Sequence, residues 1–314
     1  MMRIAVCEPA FGRHPVLKAE LLALYPDATL NEGGRVLAGD ALIGFLKGHQ
    51  GAIVGAQAMN DAVFTAVPEL TVVSKWGVGL DTIDLGAMAR HGVRLGWTGG
   101  VNRLSVAELA LSFFISLLRQ VPAASRDVRG GLWRRRIGRH LSGRTVGIVG
   151  CGHIGKEVVR LLVPFGCRVL AHDIRDYPAF YAAHGVEAVE LEDLLKTADV
   201  VSLHVPLDAT TRGMIDAGRL ALMRPDAVLV NTARGGIVDE SALREALSGG
   251  RLAAAACDAF ATEPPTDADL LALPNFLATP HIGGSAEEAI LAMGRGAIAG
   301  LADNAVPDPA TGNI

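Results

Sequence analysis

Cysteine is scarce in this sequence, a long apolar run is missing, and positive charge is not in excess. The four cysteines, Cys7, Cys151, Cys167 and Cys257, form no CxxC pair and no zinc-like cluster. They read as buried free thiols, and no metal site is expected. The longest strongly apolar stretch, residues 109–118, is fenced by Glu108 and Arg119. It falls well short of the ~20 residues a membrane helix needs. The chain meets Glu8 after a very short apolar stretch, so no secretory signal is expected at its start. Net charge is −4 and the pI is about 6.1. Neither a nucleic-acid partner nor a membrane partner follows from that balance. A cytoplasmic protein is therefore expected. The one basic cluster is Arg134, Arg135, Arg136, Arg139 and His140. It reads either as a solvated face or as a contact for an anion or partner.

What is present in excess is glycine, 37 of 314 residues, or about 12 % against a typical ~7 %. No G-X-Y period occurs, so collagen is excluded, and tight turns or close backbone approaches remain. Half the residues are apolar and one fifth charged, which excludes a disordered chain. The length suggests about two domains.

Short apolar runs alternate with helical patterns. Strands are expected near residues 3–7, 52–55, 70–75, 93–97, 145–149, 168–172, 200–205, 228–231, 253–257 and 276–279. Helices are expected near 15–24, 61–66, 105–120, 156–162, 191–195, 219–223, 240–248, 267–273 and 286–301, the last running into a Pro-containing tail. Ser105 and Glu108 have the Ser-x-x-Glu form of a capping box at the start of the long central helix. Alternation of this kind argues for an α/β fold, and near-continuous apolar strands argue for a doubly wound parallel sheet covered on both faces.

After the run Thr145-Val-Gly-Ile-Val comes Gly150-Cys-Gly152-His-Ile-Gly155, with a helix expected to open at Lys156. G-x-G-x-x-G between strand and helix is a phosphate-binding turn. Gly150 permits the tight turn, Gly152 lets a pyrophosphate approach the backbone, and Gly155 lets helix and strand pack. The amides of His153 and Ile154 then face the anion at a helix N-terminus. Asp173 ends the next strand, eighteen residues after Gly155. A carboxylate there accepts hydrogen bonds from ribose hydroxyls and repels a 2′-phosphate, so NAD is expected rather than NADP.

Three polar segments end later strands: Asn231-Thr-Ala-Arg234-Gly-Gly, Asp258-Ala-Phe-Ala-Thr-Glu263 and Thr279-Pro-His281-Ile-Gly-Gly. In open α/β sheets, ligands bind at that edge. Together they supply Arg234, Glu263 and His281. Oxidation of a hydroxy acid removes a hydride from carbon and a proton from oxygen, and histidine suits the proton transfer. A carboxylate beside it fixes its tautomer. A guanidinium binds a carboxylate or carbonyl oxygen and cannot be titrated away.

With these motifs in hand, the sequence resembles the D-isomer-specific 2-hydroxyacid dehydrogenases, in particular the phosphoglycerate dehydrogenase branch without a C-terminal regulatory domain. The resemblance is carried by Lys75-Trp-Gly-Val-Gly-Leu-Asp81, Leu104-Ser-Val-Ala-Glu108, the glycine turn with Asp173, His204-Val-Pro206, Ala233-Arg-Gly-Gly-Ile-Val-Asp239, Asp258-Ala-Phe and Thr279-Pro-His-Ile-Gly-Gly284. It implies a Rossmann-type NAD-binding domain, residues 102–283, inserted in a flavodoxin-like substrate domain made of 1–101 and 284–314. It implies an NAD-dependent oxidoreductase acting on a 2-hydroxy acid and 2-oxo acid pair in a cleft closed by hinge motion, and a homodimer paired through the NAD-binding domain. Arg234, Glu263 and His281 would be catalytic, with Arg234 on the substrate and Glu263 paired to the acid/base His281. Thr98, Gly150, Gly152, His153, Ile154, Gly155, Asp173, His204, Val205, Pro206, Thr211, Thr232, Ala233, Asp258, Gly283 and Gly284 would hold the dinucleotide. Lys75, Val78, Gly79 and Asn102 would touch substrate.

The chain departs from the family pattern at Lys75, where arginine is usual, at the bulky Trp76 beside it, and at Gly99-Gly100-Val101. These changes bear on the substrate side chain. Lys75 and Arg134–Arg136 suit a second anionic group such as that of 3-phosphoglycerate, and the arginines would reach a neighbouring subunit's site. Phosphite- or glyoxylate/hydroxypyruvate-type dehydrogenases of the same fold are alternatives, as is a non-enzymatic NAD-sensing protein like the related corepressors. Formate dehydrogenase chemistry, which pairs its histidine with an amide, is disfavoured by Glu263.

Overall fold

A computed structural model describes residues 2–308; Met1 and residues 309–314, the end of the Pro-containing tail, lie outside the described residues. The chain divides into two compact units, residues 1–102 with 286–314, and residues 103–285.

The first unit holds a five-stranded sheet. Its strands are β1 (Ile4–Val6), β2 (Thr29–Leu30), β3 (Gly51–Val54), β4 (Val72–Lys75) and β5 (Arg94–Gly96). Their order is β2-β1-β3-β4-β5 and every pairing is parallel. This is the flavodoxin-like order. One face packs Met59, Phe64, Leu70 and Met88, and the other packs Phe11, Leu17, Leu21 and the terminal helix Glu287–Gly300.

The second unit holds seven parallel strands: β6 (Thr145–Val149), β7 (Arg168–His172), β8 (Val186–Ala188), β9 (Val200–Leu203), β10 (Val228–Asn231), β11 (Ala254–Cys257) and β12 (Phe276–Ala278). Their order is β12-β11-β10-β9-β6-β7-β8. The strand order reverses between β6 and β9, and ligands bind at that switch point in such sheets. Within β10, Val228 and Val230 join the core under the helix Arg103–Leu118, and Leu229 joins the core on the other face. Burial on both faces explains the uninterrupted apolar strands. Among the described residues, no single helix is long and apolar enough to cross a membrane.

Several local expectations need correction. The long helix spans Arg103–Leu118, so Ser105 lies inside its first turn and is not a capping residue. Its hydroxyl instead donates to the Gly283 carbonyl at 2.6 Å. The helix after the glycine turn begins at His153, not Lys156, because Gly155 is already helical. Helices Gly39–Leu46, Leu85–His91, Val121–Arg129 and Pro178–His184 and the short strands β2 and β8 carried too few periodic residues to be seen in the sequence. At Gln120 the backbone turns left-handed (φ 54°), which separates Val121–Arg129 from the long helix.

Candidate active site

The second unit's glycine turn is shaped by contacts that a side chain would prevent. A Cβ on Gly155 would fall 2.2 Å from the Gly150 carbonyl oxygen, so helix and turn touch backbone to backbone there. Gly150 has φ +91° and lies against the His204 backbone. Gly152 is the opposite case: a Cβ there would meet nothing within 4 Å. Its outer side is open, and the helix His153–Leu162 starts without a side-chain cap. Uncapped amides at a helix N-terminus beside open space form an anion cradle.

Asp173, just past β7, is pinned beside that cradle. One carboxylate oxygen accepts from the Cys151 amide at 2.6 Å and the other from the Arg175 amide at 2.8 Å. A cavity of ≈ 480 Å³ opens there, lined in part by Asp173, Ile174, Arg175, Tyr181 and Glu190. An open pyrophosphate cradle, a fixed carboxylate and a neighbouring cavity fit a dinucleotide. Cys151 does not add chemistry, because burial pushes its thiol up to about 11.

At the ends of β9 and β10, two buried polar atoms lack partners among the described residues, His204 Nδ1 and Thr232 Oγ1. Burial pushes the His204 imidazole down to about 3, so it is neutral at physiological pH. Its Nε2 is 2.9 Å from the Ser202 hydroxyl. Val205 follows half-buried and Pro206 exposed. Thr211 serves its own loop, donating to the Pro206 carbonyl at 2.6 Å and accepting from the Asp208 amide at 2.9 Å.

Arg234, Glu263 and His281 come from the ends of β10, β11 and β12. Asn231 curls the first loop, accepting from the Ala233 amide at 3.0 Å and donating to the Arg234 carbonyl at 2.8 Å. The Arg234 guanidinium donates to the Ala233 carbonyl at 2.7 Å. His281 Nδ1 lies 3.0 Å from both oxygens of Glu263. A carboxylate only accepts, so Nδ1 carries the proton and Nε2 is the nitrogen left for another partner. Glu263 is oriented in turn by the Phe260 amide at 3.0 Å.

His281 has φ 54°, a left-handed conformation that L-residues seldom adopt. Its loop is held in that shape by Asp258, which is 1 % exposed. Asp258 accepts from the Thr279 hydroxyl at 2.6 Å, the Ile282 amide at 2.8 Å and the Gly283 amide at 2.7 Å. Gly283 is buried and Gly284 half-buried beside it. Asn231, Thr279 and Ser105 are supporting residues to which sequence reasoning gave no such part. The polar strand ends at Asn231 and Thr279 were visible in the sequence, but the backbone groups these side chains hold were not.

The remaining expected residues belong to the first unit. Lys75 ends β4, is 7 % exposed, and its ammonium donates to the Gly55 carbonyl. The loop after it carries Val78 and Gly79, and Trp97 Nε1 donates to the Val78 carbonyl at 2.9 Å. Thr98 is exposed. Asn102 holds a buried Oδ1 with no partner among the described residues. Within the second unit, Arg136 of the basic cluster pairs with Asp127 at 2.8 Å and Arg139 with Asp226 at 2.7 Å. Among the described residues no group of three or more His, Cys, Asp or Glu side chains could hold a metal.

Residues 111–283 match the model of the D-isomer specific 2-hydroxyacid dehydrogenase NAD binding domain. Over 236 residues the chain is 42 % identical to a D-3-phosphoglycerate dehydrogenase of Mycobacterium bovis, covering 74 % of this chain and 45 % of the relative. The chain thus spans about half the length of the curated relatives it matches. A Polaromonas sp. JS6 66 structure assigned to the D-isomer specific 2-hydroxyacid dehydrogenases superposes with TM-score 0.88 at 30 % identity, covering 96 % of each chain. An Aquifex aeolicus D-lactate dehydrogenase complexed with NAD and lactic acid superposes with TM-score 0.83 at 25 % identity, over 95 % of this chain and 93 % of that one.

Proposed function

We propose a function on one premise: the chain belongs to the D-isomer-specific 2-hydroxyacid dehydrogenase family. The protein is an NAD-dependent oxidoreductase that interconverts a D-2-hydroxy acid and its 2-oxo acid. The observation that carries this reading is the His281–Glu263 pair, 3.0 Å apart at the ligand-binding edge of a dinucleotide-binding unit and sharing that edge with the Arg234 loop.

Gly150, Gly152, His153, Ile154 and Asp173 hold the dinucleotide, whose nicotinamide supplies or accepts the hydride. His281 protonates the carbonyl oxygen of a 2-oxo acid from Nε2, or takes the hydroxyl proton in the reverse direction. Glu263 holds Nδ1–H and offsets the imidazolium charge. Arg234 binds the substrate carboxylate and polarises its carbonyl. The pinned Asp173 carboxylate disfavours a 2′-phosphate and so favours NAD over NADP.

Relatives named D-3-phosphoglycerate dehydrogenase make the 3-phosphoglycerate pair the first substrate to test. The protein works as a homodimer paired through its NAD-binding unit. Support comes from the irregular segment after the helix Val121–Arg129, where Trp133 and Ile137 are 88 % and 93 % exposed. Light scattering checks the dimer. The activity is checked by following NADH and NADPH oxidation with 3-phosphohydroxypyruvate, hydroxypyruvate, glyoxylate, pyruvate and branched 2-oxo acids, with product chirality measured. Tight NADH binding without turnover on that panel would sink the enzymatic reading in favour of a nucleotide-sensing protein.

A further inference from the structure

The loop bearing Glu263 is anchored unevenly. The Phe260 ring is buried and packs edge-on against Phe276, 6.3 Å between centroids. Beyond it, Ala261, Thr262 and Glu263 are exposed, so side-chain burial does not fix the stretch that delivers the carboxylate. Two consecutive amides supply the anchor, and both end on carboxylates. The Phe260 amide donates to Glu263 itself, and the Ala261 amide donates to Glu240 at 2.7 Å.

Glu240 lies just beyond the loop that carries Arg234. It is the first residue of the helix Glu240–Ser248, which Asp239 caps by accepting from the Ala242 amide at 3.0 Å. Five residues upstream, Gly235 lies so close to the same stretch that a Cβ would fall 1.8 Å from the Phe260 carbonyl carbon and 2.2 Å from the Ala261 nitrogen. The segment between is tied down by the Gly213 amide on the Gly236 carbonyl (2.7 Å), the Ile215 amide on that of Ile237 (3.0 Å) and the Asp239 amide on that of Ile215 (3.0 Å). Glu240 therefore projects from a rigid base, and its bond to Ala261 spans 21 residues of sequence.

We propose that Glu240 is a positioning residue for the acid/base pair: its hold on the Ala261 amide fixes the loop on which Glu263 meets His281, and it ties that loop to the one carrying Arg234. The kinetic consequence rests on the dehydrogenase reading above; the structural consequence does not. With the bond removed, residues 261–263 gain freedom, Glu263 leaves Nδ1 part of the time, and the imidazole no longer keeps one tautomer.

The test is a long-range proton–nitrogen spectrum of histidine-labelled protein, with the His281 signals assigned by a His281→Gln variant. Wild-type protein shows His281 protonated on Nδ1. Glu240→Ala should move it to a mixture of tautomers, and Glu240→Gln, whose side-chain oxygen still accepts from Ala261, should restore the wild-type pattern. In turnover, Glu240→Ala should lower kcat about ten-fold with the KM for NADH within about two-fold, and Glu240→Gln should recover most of the loss. Should Glu240→Ala not fold, Glu240→Asp, which withdraws the carboxylate by one methylene, must reproduce the tautomer shift. A wild-type nitrogen pattern in Glu240→Ala or Glu240→Asp overturns the proposal. So does a Gln variant as impaired as the Ala variant, since charge rather than the bond would then matter. The spectrum is read on resting protein. A wild-type protein with the Nδ1 pattern but no turnover refutes the proposed activity and leaves the role of Glu240 in place.

Discussion

His204 makes the stability of the second unit depend on pH in a window where carboxylates contribute little. His204 is half-buried at the end of β9 with its Nδ1 shut off from solvent, and burial holds the imidazole down to about 3 from an ordinary 6.5. Below pH 6.5 the unfolded chain takes up a proton at this residue that the folded chain refuses. The unfolded state then binds more protons, so stability falls as pH falls, and it is fully retained only above pH 6.5. From pH 7 to pH 5 the loss is about 2 kcal/mol, roughly a 30-fold larger opening constant. His204→Gln is neutral throughout and removes this contribution, while the other titrating groups stay common to both proteins. Amide hydrogen exchange, corrected for intrinsic rates, measures the opening free energy of the peptide containing β9 in each. Wild-type protein should lose about 2 kcal/mol more than His204→Gln between the two pH values. Parallel losses would show that His204 is protonated within the fold at pH 5 and that its enclosure is not as described.

Gly152→Ala separates folding from binding. Apart from the adjoining residues of the chain, nothing lies within 4 Å of the added methyl. The melting temperature should stay within about 2 °C, and affinity for NADH, read by fluorescence, should fall at least about ten-fold because the methyl occupies the pyrophosphate's approach. Unchanged affinity would remove the cradle from the account. Asp258→Asn should lower kcat by about ten-fold or more, because an amide cannot accept all three bonds that hold the His281 loop in its left-handed turn. A normal kcat would mean that the loop keeps its shape without the carboxylate.

Both sheets were legible in the sequence because period and burial agree. β6, β7 and β10 fall on the expected ranges because their strands are apolar on both faces and end at a glycine or polar residue. The candidate site was legible in so far as its polar side chains, Arg234, Glu263 and His281, follow the ends of β10, β11 and β12. The supporting residues were hidden for a physical reason. Ser105 and Glu240 bond to backbone groups 178 and 21 residues away, and no local pattern encodes such a contact. Ser105 even imitated a helix cap, since a Ser-x-x-Glu spacing occurs equally well within the first turn of a helix. The short strand β8 was missed because only Val186 of its three residues is buried.

The central claim is that His281, held by Glu263, moves a proton as hydride moves to or from nicotinamide. Steady-state NADH oxidation by wild-type protein and by His281→Gln, on whichever 2-oxo acid of the panel turns over, tests it most directly. The account predicts measurable turnover by the wild type, and a kcat lower by about 10²–10⁴-fold in the variant with NADH affinity unchanged. Near-normal kcat in His281→Gln would contradict it.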